Sequence, residues 1–338
     1  MSPENSASKE NSQFTVEKII VAGNRGPCGG VNMAIGTVDQ VLNIVGGRED
    51  VFTNWSIVHN DPILKEFQER GLVVMDNDWS KVPDGSIVLF SAHGVPPRFR
   101  KIAEERNYLV IDTSCQLVTR VHNLVKKAEK EGKHVIYIGK KGHPETIGVM
   151  EEVQEENITL IESQTDVQCL KIGTGVDYIV YSQTTLMTSE TDEIEEALRA
   201  KFPDIYIPDK LGICYATFNR QAAVKGLIDS GIDMLIVVGS QQSHNSEMLR
   251  RMGERAGINS AKLDYPKQLN LNWLANSKRV GFTSGASVLD KFLKPVINKV
   301  KTIAPNVPVV YQQQAVEERD LTFILPQESI DRLKARFS

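Results

Sequence analysis

Residues 24–30 read NRGPCGG, a cysteine in a glycine-rich turn that follows the apolar run IIVA at 19–22 and precedes a helical pattern. The same setting recurs at DTSC (112–115) and at GICY (212–215), although the apolar run before the last cysteine is weaker. A thiol at the N-terminus of a helix is favoured as thiolate by the helix dipole. Three cysteines in one structural context therefore predict three ligands of one metal site.

The composition is typical of a globular protein. The chain has 338 residues, of which 41% are hydrophobic and 24% are charged, so it is long enough for two or three domains. A net charge of −4 does not favour nucleic acid as the main partner. No apolar run approaches the roughly 18 residues of a membrane span, and the polar start resembles neither a secretory signal nor a good transit peptide. We expect a cytoplasmic protein with a disordered tail at 1–15 and no membrane partner.

Apolar runs, polar or glycine-rich loops and helical patterns alternate along the chain, which favours α/β domains with parallel sheets and crossover helices. The pattern completes three rounds of roughly 90 to 100 residues each, a usual domain size. The first polar loop follows its cysteine by 31, 28 and 31 residues, at His59, His143 and Asn245. The second follows by 65, 69 and 73 residues, at His93, Thr184 and Ser287.

We therefore expect three similar small α/β domains around a shared centre. The first strand should pair with the third domain, because the last round otherwise lacks the strand that leads to a cysteine. A strand is predicted at 55–58, ending at His59, and the tail should contain a short strand at 321–325 followed by an amphipathic turn or helix. The expected segments are the first strand with its cysteine loop (16–29), the three domains (30–114, 115–212 and 213–311) and a tail or clasp (312–338).

The polar loops all fall at the carboxyl ends of predicted strands, where open parallel sheets bind ligands. Domains packed with these ends inward would bring the thiols and a ring of polar side chains into one cavity. Neutral hydrogen-bonding groups near helix N-termini suit a phosphate or diphosphate. A helix N-cap is the alternative role for any single one of them. The candidates are His59, His93, His143, Thr184, Ser243, Asn245 and Ser287.

Glu145 shares its loop with a histidine. Pro144 suits the first position of a helix, so His143 and Glu145 would both point from the mouth of that helix. One interpretation is a first-turn carboxylate that complements the helix dipole. The other is a proton donor beside a metal-bound substrate, with its pKa raised by burial and by a nearby anionic cluster.

The identity of the metal stays open at this point. Three thiolates leave a fourth position free, as catalytic metal sites do. Soft thiolates select zinc, copper(I) or an iron–sulfur cluster, and the spacing does not decide among them. The fourth cysteine, Cys169, has no glycine or turn chemistry around it, and we expect it to be a buried small apolar residue.

Seven motifs, in this order and spacing, resemble those of one enzyme family. They are RGPCGGV (25–31), SAHGV (91–95), TSCQLVTRVH (113–122), GHPE (142–145), SQTT (182–185), ICYATFNRQ (213–221) and TSGAS (283–287). The family is the LytB family of 4-hydroxy-3-methylbut-2-enyl diphosphate reductases, and the resemblance runs from about residue 16 to 325. It implies three α/β domains in a pseudo-threefold arrangement around a [4Fe–4S] cluster, whose open iron would hold the substrate hydroxyl.

The resemblance also implies residue roles and a reaction. Cys28, Cys115 and Cys214 would be the cluster ligands. The diphosphate would be held by His59, His93, Ser243, Asn245 and Ser287. His143, Thr184 and Glu145 would line the cluster side, with Glu145 in the proton relay. The implied reaction removes the allylic hydroxyl to give isopentenyl and dimethylallyl diphosphate, the last step of the methylerythritol phosphate pathway, with ferredoxin or flavodoxin as the electron donor.

Three positions depart from the family pattern. Gln116 stands where the family usually has proline, Pro27 where an aromatic residue is common, and His244 where a second serine is usual; no role is assigned to His244. Two alternative functions remain: an iron–sulfur hydro-lyase, and a non-catalytic metal-binding or diphosphate-binding protein, for which Glu145 would be dispensable.

Overall fold

The computed structural model describes residues 14–76, 78–171, 173, 175–208, 212–318 and 327–337. These residues form two compact units. The first combines 14–27 with Phe218–Glu318, and the second combines Cys28–Thr217 with 327–337. Most of the expected tail at 1–15, and the strand expected at 321–325, lie outside the described residues. No helix within the described part of the chain is long and apolar enough to cross a membrane.

Strands and helices alternate along the chain. The strands are β1 Lys18–Val21, β2 Val51–Thr53, β3 Leu72–Val74, β4 Ile87–Phe90, β5 Leu109–Asp112, β6 His134–Ile138, β7 Ile158–Ile161, β8 Tyr178–Ser182, β9 Met234–Val238, β10 Asn259–Leu263, β11 Arg279–Ser284 and β12 Val309–Tyr311. The helices are α1 Gly29–Val45, α2 Asp61–Gln68, α3 Pro97–Glu105, α4 Gln116–Lys130, α5 Pro144–Met150, α6 Gln164–Cys169, α7 Thr188–Lys201, α8 Tyr215–Asp229, α9 His244–Arg255, α10 Asp290–Ile303 and α11 Gln327–Arg336.

The second unit contains two parallel sheets. One has the strand order β3-β2-β4-β5 and the other the order β7-β6-β8. An isolated parallel bridge between Ile179 and Tyr206 lies beside the smaller sheet, in the weak apolar run that leads toward Cys214. The prediction of an α/β fold with small parallel sheets is confirmed.

The first unit contains one five-stranded parallel sheet of order β10-β9-β11-β1-β12. The first strand of the chain lies in this last sheet, where Ile19 pairs with Val280 of β11 on one side and with Val309 of β12 on the other. Three sheets therefore correspond to the three rounds of the sequence. The exact domain boundaries and the threefold arrangement stay predictions.

Burial on both faces explains why the strands read as apolar runs. Within β1, Ile19 and Val21 belong to one buried cluster and Ile20 to another, and β6 divides its side chains in the same way. Successive side chains of a strand point to opposite faces, so each sheet is covered by apolar residues on both sides. Parallel sheets with crossover helices require this covering.

Two expectations about local structure are wrong. The strand predicted at 55–58 is absent: β2 ends at Thr53, whose hydroxyl donates to the carbonyl of Trp55, and Asn54 turns inward to accept the main-chain N–H of Ser91. Ile57 and Val58 are nevertheless buried. Their apolar character therefore reflects loop packing and not sheet pairing.

The second wrong expectation concerns Cys169, which is exposed and not buried. It ends the short helix α6, which the sequence analysis did not predict. The available signal was Ser163, whose hydroxyl accepts the N–H of Asp166 while the Asp166 carboxylate accepts the N–H of Ser163. This reciprocal pair is a capping box, which marks a helix start.

Candidate active site

The three cysteines of the repeated setting all lie at helix starts within the second unit. Cys28 is the N-cap residue of α1 and Cys115 that of α4, both with extended backbone, while Cys214 directly precedes the first residue of α8. Each thiol therefore lies at the end of a helix where the first main-chain N–H groups have no acceptor within the helix itself. The predicted placement of the cysteines at helix N-termini is observed.

Close backbone approach brings the cysteine loops together. A Cβ on Gly30, two residues after Cys28, would lie 2.7 Å from Cys115 Sγ, so only glycine leaves this sulfur its space. The N–H of Cys214 donates to the carbonyl of Thr184 over 3.0 Å. Cys214 Sγ accepts the N–H of Thr217 over 3.3 Å and lies 3.1 Å from its hydroxyl. The Cys214 thiol is thus fixed by its own helix and by the loop after β8.

The pKa values of two thiols are raised, which reverses the expected effect of the helix dipole. Burial raises the pKa of Cys115; the N–H groups of the first helical turn lower it, and the charges of Cys28 and Glu145 raise it further. Burial likewise raises the pKa of Cys214 to about 12, with the charges of Cys28 and Cys115 adding to the effect of burial. Desolvation and mutual repulsion therefore outweigh the dipole. Metal binding would reverse this balance with release of protons, because thiolates are the metal ligands.

The donor set suits a cluster. Among the residues that the structure describes, no three histidine, cysteine or carboxylate side chains are grouped so as to hold one metal ion. The thiolates of an iron–sulfur cluster bind different irons, so they need not converge on one ion. The charges of Cys28 and Cys115 raise the pKa of Cys214, so the three thiols are neighbours without converging on one ion, which is compatible with such a ligand set.

Glu145 is a buried carboxyl group held by a single neighbour. It is the second residue of α5 and is 1% exposed. Its Oε1 accepts the N–H of Thr184 over 2.8 Å, and its Oε2 accepts the hydroxyl of Thr184 over 2.9 Å. Burial raises its pKa to about 7, against the lowering effect of both Thr184 bonds. At neutral pH the group therefore exists in both protonation states, as a proton donor requires.

The three candidate histidines form one cluster. The ring centroids of His59 and His93 are 4.3 Å apart, and that of His143 lies 5.6 Å from the first and 5.8 Å from the second. Burial lowers the pKa of His93 well below its usual value, and the neighbouring charges of His59 and His143 lower it further. Nδ1 of His143 accepts the N–H of Glu145 over 3.2 Å, which places the proton of the neutral ring on Nε2. His143 can thus donate from Nε2.

The remaining candidates lie in the first unit, after adjacent strands β9 and β11. Ser243 is the N-cap residue of α9, and its Oγ accepts the N–H of Ser246 over 3.2 Å. Asn245 Oδ1 accepts the N–H of Ala286 over 2.9 Å, which joins this loop to that of Ser287. Its Nδ2 is buried, and no acceptor among the described residues contacts it. A buried donor without a partner is costly, so this amide group suits an anionic ligand.

Three residues that were not among the candidates from the sequence hold these loops. Thr217 contacts the Cys214 sulfur, and a threonine three residues after a helix-capping residue was the available signal. Gln183 Oε1 accepts the N–H of Lys140 over 2.9 Å and the hydroxyl of Thr146 over 3.2 Å, which ties the loop after β6 to the loop after β8. Ser246 fills the space that Gly239 and Gly285 leave open, since a Cβ on either would lie 2.0 Å from its Oγ.

Two of the three positions that depart from the family pattern are each the first residue of a helix. Gln116 is the first residue of α4 and is exposed, so this helix begins after its cysteine without proline. Glutamine is a good helix former. His244 is the first residue of α9 and is partly buried.

Comparisons with known proteins agree with the motifs. The profile of the family described as LytB protein matches residues 19–301. A 4-hydroxy-3-methylbut-2-enyl diphosphate reductase of Saccharophagus degradans is 39% identical over 314 residues, which cover 92% of this chain and 99% of the relative. The enzyme of the same name from Rhodopirellula baltica is 39% identical over 313 residues, covering 93% and 96%.

Solved structures give the same result. The E-1-hydroxy-2-methyl-but-2-enyl-4-diphosphate reductase of Plasmodium falciparum has a TM-score of 0.88 and 31% identity, covering 96% of this chain and all of that chain. A structure described as (E)-4-hydroxy-3-methyl-but-2-enyl diphosphate reductase, the terminal enzyme of the non-mevalonate pathway, has a TM-score of 0.58 and 26% identity, covering 85% of this chain and all of that chain. The chain belongs to the LytB family.

Proposed function

We propose that this protein converts 4-hydroxy-3-methylbut-2-enyl diphosphate to isopentenyl and dimethylallyl diphosphate, the last step of the methylerythritol phosphate pathway. One observation carries the proposal. The carbonyl of Thr184 accepts the N–H of Cys214, while its N–H and hydroxyl both bind Glu145. A candidate metal ligand and a buried proton donor are therefore held by one residue. The names of the relatives that match this chain over nearly their whole length support the same reaction.

We assign a [4Fe–4S] cluster to Cys28, Cys115 and Cys214. The residues fit such a group because thiolates are soft ligands and because Gly30 places no side chain against the Cys115 sulfur. When bound, the cluster would supply the two electrons of the reaction, received singly from a ferredoxin or flavodoxin. The exposed Cys169 has no part in this assignment.

The protein residues supply and direct protons. The allylic C–O bond breaks, the oxygen leaves as water, and the carbon skeleton gains one proton, so two electrons and two protons are consumed. Glu145 donates one of these protons, and Thr184 holds the carboxyl group in place through two hydrogen bonds. His143 orients its Nε2–H by accepting the N–H of Glu145 at Nδ1. Which carbon receives the second proton decides between the two products.

Neutral donors bind the diphosphate in this proposal. The low pKa of His93 keeps its ring neutral at pH 7, so it binds the anion as a hydrogen-bond donor. His59 and His143 join it in the second unit. In the first unit, Asn245 offers its buried Nδ2 and lies in one connected pair of loops with Ser243 and Ser287.

Anaerobic purification tests the proposal. We expect a brown protein that contains four irons and four sulfides and that consumes the hydroxymethylbutenyl diphosphate with an artificial one-electron reductant. Serine in place of Cys28, Cys115 or Cys214 should lower the iron content and abolish turnover, whereas Cys169→Ser should change neither. A colourless protein that binds one zinc contradicts the proposal.

The same assay separates the alternatives. An iron–sulfur hydro-lyase would be brown but would add or remove water without consuming a reductant. A binding protein would bind the diphosphate without turnover, and Glu145→Gln would not change its affinity. No contact among the described residues favours either alternative over the reductase.

A further inference from the structure

His122 is a buried histidine outside the proposed chemistry. It lies on α4, and its side chain is 7% exposed. Its Nδ1 lies 2.7 Å from Oε1 of Glu152, whose side chain is 9% exposed, and Lys126 Nζ lies 3.3 Å from the other oxygen of that carboxylate. Burial alone would raise the pKa of Glu152, but the bonds to His122 and Lys126 outweigh burial and lower it. The ring is therefore held at Nδ1 by an ionised carboxylate.

The opposite edge of the ring is packed between two glycines. A Cβ on Gly94 would lie 2.9 Å from Nε2, and a Cβ on Gly148 would lie 3.1 Å from Cε1. Both distances are shorter than the roughly 3.5 to 4.0 Å of a comfortable contact. Gly94 also has φ +81°, which a residue with a side chain rarely adopts. The backbone of two separate elements thus rests directly on this ring.

These two elements carry proposed active-site residues. Gly94 follows His93 in the loop after β4. Gly148 lies one turn after Glu145 on α5. His122 itself belongs to the helix that begins at Cys115. His122 therefore lies where three elements meet: the loop of a proposed diphosphate-binding residue, the helix of the proposed proton donor and the helix that begins at a proposed metal ligand.

The second nitrogen of the ring indicates a role in packing. Among the described residues, the buried Nε2 has no hydrogen-bond partner. A buried polar atom without a partner destabilises the fold, so an apolar side chain of similar size would avoid that cost. An apolar side chain would, however, lose the bond to Glu152 that fixes where the ring edge lies.

We propose that His122, oriented by Glu152, is a positioning residue that sets the separation between the His93 loop and helix α5. The proposal rests on the proposed function for the roles of His93 and Glu145. Active sites require such support because catalytic groups must be held to within about 0.5 Å. The edge of the His122 ring keeps the His93 loop and α5 apart, and the bond to the Glu152 carboxylate fixes the direction of that edge.

Two substitutions change the packing of this ring in opposite ways, one by adding bulk against the ring and the other by removing its edge. Gly148→Ala adds a methyl group that the ring must avoid by a few tenths of an ångström. His122→Asn removes the ring edge, while the asparagine N–H can still donate to Glu152. Each single change should lower kcat about 3- to 10-fold, with KM changed less than about twofold, because small displacements of reacting groups are costly. In the double variant the methyl group occupies the vacated space, so kcat should exceed that of Gly148→Ala.

Matched controls separate positioning from general effects of each substitution. Gly36→Ala is the same change within a helix, at a site where the new methyl group contacts nothing. His134→Asn removes a partly buried histidine whose Nε2 bonds Thr159. Both controls should keep the wild-type kcat. Thermal unfolding of every variant shows whether the assayed protein is folded.

A second measurement does not depend on turnover. The protein has six histidines, and the ring signals of His93 and His143 in the NMR spectrum of the anaerobically purified protein respond to a change in the position of either ring. We expect these signals to shift in Gly148→Ala and in His122→Asn, to move back in the double variant, and to stay unchanged in the controls.

The outcomes are distinct. Wild-type kcat and unchanged His93 and His143 signals in Gly148→Ala would overturn the inference, as would a double variant whose losses simply multiply. If the wild-type protein does not reduce the hydroxymethylbutenyl diphosphate, the proposed function fails, and the NMR comparison alone decides whether His122 sets this separation.

Discussion

Replacing Glu145 with glutamine removes the proposed proton donor with little change of shape. Glutamine can still accept the N–H of Thr184 with its oxygen, while its amide N–H donates to the Thr184 hydroxyl, so both bonds of the carboxyl group have counterparts. Substrate affinity should therefore change little. Because general acid catalysis contributes about 10²- to 10⁴-fold, we expect kcat to fall by about that factor with KM within about threefold.

The pKa of Glu145 gives the pH dependence. With a pKa of about 7, about half of the carboxyl groups are protonated at pH 7, and about a tenth at pH 8. The protonated form is the donor, so kcat/KM of the wild-type enzyme should fall about fivefold from pH 7 to pH 8 and about tenfold from pH 8 to pH 9. The glutamine side chain in the Glu145→Gln variant does not titrate, and this alkaline decline should disappear from the residual activity.

Glu145→Gln should also raise the free energy of unfolding above that of the wild type at alkaline pH. The pKa is raised from 4.5 to about 7, so between these values the folded protein holds a proton that the unfolded chain has released. Stability contributed by Glu145 is therefore complete below pH 4.5 and is lost as the pH rises to 7. At about 1.36 kcal/mol per pKa unit, the loss is about 3 kcal/mol.

Steady-state kinetics from pH 6 to 9 and urea unfolding at pH 5 and 8 measure both effects. Since kcat/KM reports the free enzyme, it is the quantity to compare with the pKa of the protein without substrate. Ionisation of the diphosphate would affect wild type and variant alike, so the difference between their profiles isolates Glu145. Identical profiles, or a variant with the wild-type kcat, would remove Glu145 from the mechanism. The same change in unfolding free energy between pH 5 and pH 8 in both proteins would refute the raised pKa.

Two further predictions concern the neighbours of this group. Gly30→Ala would place a methyl group 2.7 Å from Cys115 Sγ, so iron and sulfide content after anaerobic reconstitution should fall below that of Gly36→Ala, and full incorporation would show that the sulfur can move aside. Thr184→Val removes the hydroxyl bond to the Glu145 carboxylate and should raise its pKa by about one unit, moving the alkaline decline of kcat/KM to about pH 8; an unmoved decline would show that the hydroxyl does not stabilise the ionised form.

Much of the fold was predictable because parallel sheets leave a simple signature in sequence. Strands such as β6 and β9 are apolar nearly throughout, since both of their faces are covered, and each is followed by a polar loop and a helix. The position of β1 in the last sheet followed from the need of every round for a strand before its cysteine. An apolar, buried segment is not always a strand, however. Ile57 and Val58 are as buried as strand residues, but the preceding Asn54 has already turned the chain out of the sheet.

The placement of the candidate cysteines at helix starts could be predicted from the sequence, and so could the raised pKa of a buried Glu145, but the raised pKa values of the thiols could not. Helix starts were expected to favour thiolates, yet burial raises the pKa of Cys214 to about 12. The size of this effect depends on desolvation, and desolvation depends on which elements cover the site. The contacts of Gln183 with Lys140 and Thr146, and of Ser246 with Gly285, were missed for a related reason: they join residues 37 to 43 positions apart that the sequence gives no reason to place side by side.

Thr184 shows why Glu145 and the Cys214 loop can keep their relative positions although few side chains bind them. Two of its three contacts, the N–H to Glu145 and the carbonyl that accepts the N–H of Cys214, are made by the main chain. Only the hydroxyl bond depends on the side chain. A valine at this position therefore keeps both main-chain contacts, because valine has nearly the shape of threonine. Its effect should appear as a change in the pKa of Glu145 and not as loss of the Cys214 loop, and for this reason the pH profile tests Thr184 more directly than kcat does.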